Sequence, residues 1–169
     1  MSSQTTHETP SLTDWAKSNI NSLYELHSTS GEGQQAQQSG AGLVFAPNAQ
    51  IFHNHKQVTV EEFQKEMSQS FGSVGSSVEW KECVEIPESK ETPHTGIVAG
   101  FLVVTRTMKF RIRAAPAQNN TFISISAKIE DSNTEGDEQG DRRRVVQLFH
   151  TAVTKAAPVH LAGIQGKHG

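Results

Sequence analysis

Four successive stretches in the second half of the chain, residues 77–86, 96–114, 120–131 and 142–155, alternate apolar and polar side chains with a period of two. No other feature narrows the fold so far, because alternation over such lengths predicts long strands that each turn one face to a core. Joined in sequence order they make an antiparallel meander. The connections agree: residues 87–95 and 115–119 are rich in Pro, Asn and polar side chains, and residues 131–141 form an acidic, glycine-containing loop. Upstream the period is helical. Leu12, Trp15, Ala16, Ile20, Leu23 and Tyr24 form one apolar stripe beginning near Ser11, with Ser11 or Thr13 as its cap. Thr59 and Glu62 stand at capping-box spacing ahead of Phe63, Met67 and Phe71, which predicts a helix over residues 59–71. Between the helices lie a polar connector at residues 31–42, a short strand at 49–52 and a turn at 53–56.

At 169 residues and 34% hydrophobic content, the chain suits one domain, residues 11–157, flanked by tails at 1–10 and 158–169. Fifteen basic residues (Lys+Arg 15) against eighteen acidic ones (Asp+Glu 18) give a formal charge of -3, so no positive field gathers nucleic acid or an anionic membrane. The longest apolar stretch, residues 96–104, is too short for a bilayer span, and the first residues lack the basic start and hydrophobic run of a secretory signal. The expectation is a soluble protein of the cytoplasm, with the nucleus equally open. Cys83 is the single cysteine, which rules out an internal disulfide and a multi-cysteine zinc site.

Alternation also picks out charges that interrupt apolar faces. Glu82 breaks the set Val78, Trp80, Val84, Ile86. Arg106 breaks the set Val98, Leu102, Val104, Met108, Phe110, Ile112. The third strand's set of Ile123, Ile125, Ala127 and Ile129 ends at Asp131, and His150 interrupts Val146, Leu148 and Ala152 in the fourth. That fourth strand is apolar on its other face too, through Val145, Phe149 and Val153, so burial on both sides is expected.

The stretch LVFAPNAQIFHNHKQVTVEEFQKEM at residues 43–67, set between a long helix and four strands that close with RRRVVQLFHTAV, resembles the nuclear transport factor 2-like superfamily. The shared run is a leucine-phenylalanine pair, a Pro-Asn turn, an apolar strand, a tight turn and a Thr-capped helix bearing Glu-Glu-Phe. The chain departs from it where His53-Asn54-His55-Lys56 replaces the usual Asn-Gly turn, and where residues 31–42 replace the start of a second short helix. The resemblance implies an α+β fold in which a curved antiparallel sheet wraps around N-terminal helices to form a conical pocket. It also implies a homodimer through the convex sheet face. Superfamily members include lyases, isomerases and plain binding or transport adaptors, so the fold alone leaves the activity open.

If those parities hold, Glu82, Arg106 and His150 converge in the cone as proton acceptor, anion stabiliser and acid or base of a cofactor-independent lyase or isomerase. Tyr24, Trp80, Met108, Phe110 and Asp131 are then the residues expected around a small apolar ligand. In the competing reading, Glu82 and Arg106 form a buried pair that fixes strand register and His150 bonds a backbone carbonyl. The domain is then a non-catalytic binder of a small ligand or a protein partner. No cofactor or metal is expected: His53 and His55 read as solvated turn residues, and no His-Glu or cysteine-rich signature accompanies them. Cys83 reads as a small packing residue, and residues 142–144 as a solvated basic run beside the acidic loop.

Overall fold

The computed structural model describes residues 10–24, 44–68, 73–112, 115–132 and 141–158. The connector expected at 31–42, Phe71, most of the acidic loop and nearly all of both expected tails lie outside them. Helix α1 spans Leu12–Tyr24, and its cap is Ser11, whose Oγ accepts from the Asp14 amide at 3.1 Å while its carbonyl accepts from Trp15 at 3.0 Å. Glu85, from the sheet, accepts from the Thr13 amide at 2.7 Å and places negative charge at the positive end of the helix dipole.

Strands β1 (Phe45–His53) and β2 (Lys56–Val58) form a hairpin whose two-residue loop is Asn54-His55. Both loop residues have positive φ, 48° and 67°, as a turn matched to strand twist requires. Asn54 and His55 thus do the work of the usual Asn-Gly pair. Helix α2 (Val60–Ser68) begins on the expected capping box: Thr59 N donates to Glu62 Oε2 at 2.9 Å and Glu62 N to Thr59 Oγ1 at 3.1 Å.

The four long strands follow as β3 (Ser73–Pro87), β4 (Gly96–Ile112), β5 (Ala115–Asp131) and β6 (Arg143–Ala156). They pair antiparallel in sequence order, and β1 adds to β6 in parallel, giving the sheet order β2-β1-β6-β5-β4-β3. Each helix lays an apolar stripe against one face of this sheet. Leu12, Ile51, Phe63 and Leu102 are wholly buried there, each stabilising the fold by about 1.5–3 kcal/mol relative to exposure. At Gly100 an added Cβ would lie 2.6 Å from the Trp80 ring, so this position must stay bare for the indole to cross β4. The Trp80 indole N–H donates to Asn21 Oδ1 at 2.8 Å, tying α1 to β3.

Register shifts interrupt the ladders and reset the parity read from the sequence. Between Trp80 and Glu82 the β3–β4 register slips, so Trp80 opposes Leu102 on the inner face while Glu82 opposes Phe101 on the outer one. From there on the helix-facing set is Cys83 and Glu85, opposite Gly100 and Val98, with Glu85 exposed beside the start of α1, while Val84 and Ile86 are exposed on the outer face. A shift between Thr107 and Arg111 leaves Phe110 56% exposed, and another between Lys128 and Ile129 puts Val145 rather than Val146 inside.

The basic run is a second correction. Arg143 is only 1% exposed: its guanidinium grips Asp141 through two nitrogens at 2.9 and 2.7 Å, donates to the Pro10 carbonyl at 2.9 Å and lies 5.4 Å from the Trp15 ring centre. Burial pushes the Asp141 carboxyl up, but the Arg143 bonds outweigh it and the net shift is downward.

Candidate functional site

The parallel β1–β6 register sets His53 directly opposite His150, with both side chains on the inner face. His53 ends β1 at 8% exposure and His150 sits mid-β6 at 2%. Their Nδ1 atoms are 2.9 Å apart. His150 Nε2 lies 2.7 Å from the hydroxyl of Tyr24, the last residue of α1, whose carbonyl accepts from Ser76 Oγ at 2.9 Å. His53 Nε2 lies 3.2 Å from Glu66 Oε1 on α2 and 3.2 Å from Asn54 Nδ2. Phe63 stands edge-on to both imidazoles, at 5.0 Å from His150 and 5.9 Å from His53, and shields the pair from solvent. The result is a continuous line of polar contacts, Tyr24–His150–His53–Glu66, from the apolar core to the surface.

This line borders a cavity of about 340 Å³. Val104, Ile123 and Ala152 give it an apolar side, and Asn54, Glu66 and Thr154 a polar mouth. Arg106 lines it from β4. The guanidinium is half-buried; Nη2 donates to the Met67 carbonyl at 2.6 Å, and the buried Nε has no partner. No carboxylate forms an ion pair with Arg106 among the described residues. Burial lowers the Arg106 pKa against an opposing pull from Tyr24, and burial raises the Tyr24 phenol against an opposing pull from Arg106. Burial, then the nearness of His53, hold His150 down at about 3, so this imidazole stays neutral at physiological pH.

No protein-family model and no curated protein matches the chain. Solved structures do. Mtr2 of Candida albicans superposes with a TM-score of 0.53 at 14% identity, over 87% of this chain and 95% of that one. The chain has the nuclear transport factor 2-like fold. The complex of Mtr2 with the Mex67 M domain superposes over the same shares at a TM-score of 0.48. AclR of Streptomyces galilaeus superposes at 0.46 and 14% identity, over 68% of this chain and 64% of its own.

Within this nuclear transport factor 2-like cone, the residues singled out from the sequence part company. Arg106 and Tyr24 meet at the cavity, and His150 stands behind Tyr24, in contact with its hydroxyl. Glu82 is exposed on the opposite face of the sheet, carried there by the register slip next to it, so the expected convergence of Glu82 with Arg106 and His150 does not occur. Trp80 is spent on Asn21 and Gly100, and Met108 accepts weakly from Asn119 Nδ2 at 3.8 Å; neither borders the cavity. Phe110 points to solvent. Asp131 is exposed at the far end of β5, 3.2 Å from His94 Nε2. His53, read as a solvated turn residue, is instead buried and central. Glu66 and Asn54 were not singled out at all. The signal for Glu66 was present, since it lies three residues after Phe63 on the same helical side, but nothing in the sequence marked that side as the cavity's. Among the described residues no group of three or more His, Cys, Asp or Glu side chains is placed to hold a metal, and no helix is long and apolar enough to cross a membrane.

Proposed function

We propose that the chain is a small-molecule-binding domain whose cavity receives an apolar body bearing an anionic oxygen, and that it works as a homodimer in the cytoplasm. Arg106 carries the reading. A guanidinium taken partly out of water that lines the cavity with no carboxylate bound to it offers a charge that a ligand oxygen would meet. Tyr24 supplies a hydroxyl beside it, and Val104 and Ile123 supply the apolar contact. The test is calorimetric titration with benzoate and with benzyl alcohol, which share a ring and differ in charge. Benzoate is expected to bind at least about tenfold more tightly, as a charge-assisted hydrogen bond dictates, and Arg106→Gln to erase the difference. Equal affinities in the native chain would refute the assignment.

The dimer rests on the outer sheet face. Phe101 on β4 and Phe149 on β6 are 41% and 48% exposed, and the β5 residues between them, Ser124 and Ser126, are small. Phe52 stacks on Phe149 at 5.0 Å and broadens that ridge. Two aromatic ridges flanking a shallow groove are self-complementary under a two-fold axis, so a second copy is the occupant the relief fits.

A further inference from the structure

The hydrogen atoms along the Tyr24–His150–His53–Glu66 line are not independent. A neutral imidazole carries one N–H, so fixing the direction of one bond fixes all of them. With Glu66 ionised, His53 Nε2–H donates to it, His53 Nδ1 accepts from His150 Nδ1–H, and His150 Nε2 accepts the Tyr24 hydroxyl proton. With Glu66 protonated, every bond reverses: His150 becomes the Nε2–H form and the Tyr24 O–H is released to the cavity. Asn54 favours this second arrangement. Its Oδ1 accepts from the Ala152 amide at 2.9 Å, which fixes its Nδ2 toward His53 Nε2, where a donor needs a lone pair. His53 Nε2 is thus contested between a carboxylate that wants a proton there and an amide that does not.

We propose that this line is a proton relay that deprotonates a weak oxygen acid bound in the cavity, a phenol or an enol, and stores the proton on Glu66. It rests on the reading of the cavity as an anionic-oxygen site. The ligand O–H bond breaks and its proton passes to Tyr24 Oη. The Tyr24 proton passes to His150 Nε2, the His150 Nδ1 proton to His53 Nδ1, and the His53 Nε2 proton to the Glu66 carboxylate. The electron pair stays on the ligand oxygen, which then faces the Arg106 guanidinium and the Tyr24 O–H. Each imidazole gives up one proton as it takes another, so the burial that forbids a cationic His150 does not obstruct the transfer. Tyr24 from α1, Arg106 from β4, Glu66 from α2 and His53 from β1 are the titratable groups that line the cavity, and His150 from β6 lies behind them between Tyr24 and His53. Tyr24 touches the ligand; His150, His53 and Glu66 act through it.

Ring-nitrogen chemical shifts of isotope-labelled histidine in the full chain test the relay without any ligand. His150 is expected as the neutral Nδ1–H form near neutral pH, switching to the neutral Nε2–H form on acidification. Glu66→Ala, at an exposed position, is expected to lock it in the Nε2–H form at neutral pH because only Asn54 remains at His53 Nε2. One unchanged His150 tautomer throughout, or a cationic His150, overturns the proposal. The ligand arm uses para-nitrophenol, whose phenolate absorbance reads ionisation. Bound probe should be ionised at a pH where free probe is not, with the His150 switch in the same complex, and Tyr24→Phe should lose both. Ionisation without the switch overturns the relay and leaves the anionic-oxygen site standing. A benzoate affinity indifferent to Arg106→Gln removes that site, while the ligand-free titration still decides the relay.

Discussion

Asp141 and Arg143 form an asymmetric pair, one partner 42% and the other 1% exposed by side chain. Removing the more exposed partner should therefore cost more. Asp141→Ala leaves a guanidinium buried without its counter-ion, and we expect a loss of roughly 3 kcal/mol; Arg143→Met, which removes the buried charge itself, should cost less. Urea unfolding midpoints of the two variants give the order directly. The Asp141 carboxyl is held below its ordinary range, so its contribution is present above about pH 4 and fades as acid protonates it in the folded state. His150 acts in the opposite sense to an ion-paired histidine. Its folded value of about 3 lies below the ordinary value of 6.5, so as pH falls through that ordinary value the unfolded chain gains a proton the folded chain refuses. Stability should decline from about pH 6.5 toward 3 with a slope approaching about 1.4 kcal/mol per pH unit from this residue, measurable by urea unfolding across that range. Arg106, His150 and Tyr24 were legible in the sequence because each interrupts or ends a clear apolar period. His53 was not, because a histidine beside a tight turn looks solvated until β6 is known to lie against it.

Among elements, the two helices and the four long antiparallel strands in their sequence order followed from period and capping alone, whereas β2 and the parallel pairing of β1 with β6 did not. Thr59 and Glu62 satisfy each other as expected, and Thr59→Ala should cost about 1 kcal/mol, read from thermal or urea unfolding, because two first-turn donors lose their arrangement. Strand parity was legible only up to the first irregularity. One extra residue near Lys81 turned Glu82 outward and Cys83 inward, and no local composition announces where a ladder will slip. Glu82→Ala should accordingly leave stability within about 0.5 kcal/mol of the native chain, the behaviour of an open surface position. A larger loss would return Glu82 to the interior. The cavity was half legible for the same reason: β4 up to Arg106 kept its parity, while α2 contributed through a side that no periodicity distinguishes.

On the scale of the whole molecule, the outer face of the sheet leaves apolar side chains uncovered among the described residues, with Ile97, Phe101, Phe149 and Val153 each at least 39% exposed. Sedimentation at micromolar concentration should show a dimer, and Phe101→Glu should yield a folded monomer because the charge would be desolvated at the centre of the contact. A native monomer would leave that face to another occupant. The lone parallel pair has its own reach. His53 and His150 are 97 positions apart along the chain, and the strand that unites them is the final one in the described sequence order. A nascent polypeptide can complete both helices and three neighbouring strands while its imidazoles are still strangers. Because distant segments meet late and slowly, the buried histidine pair assembles only at the close of folding, and a chain cut short before β6 would lack both that pair and the strand that joins β1 to β5.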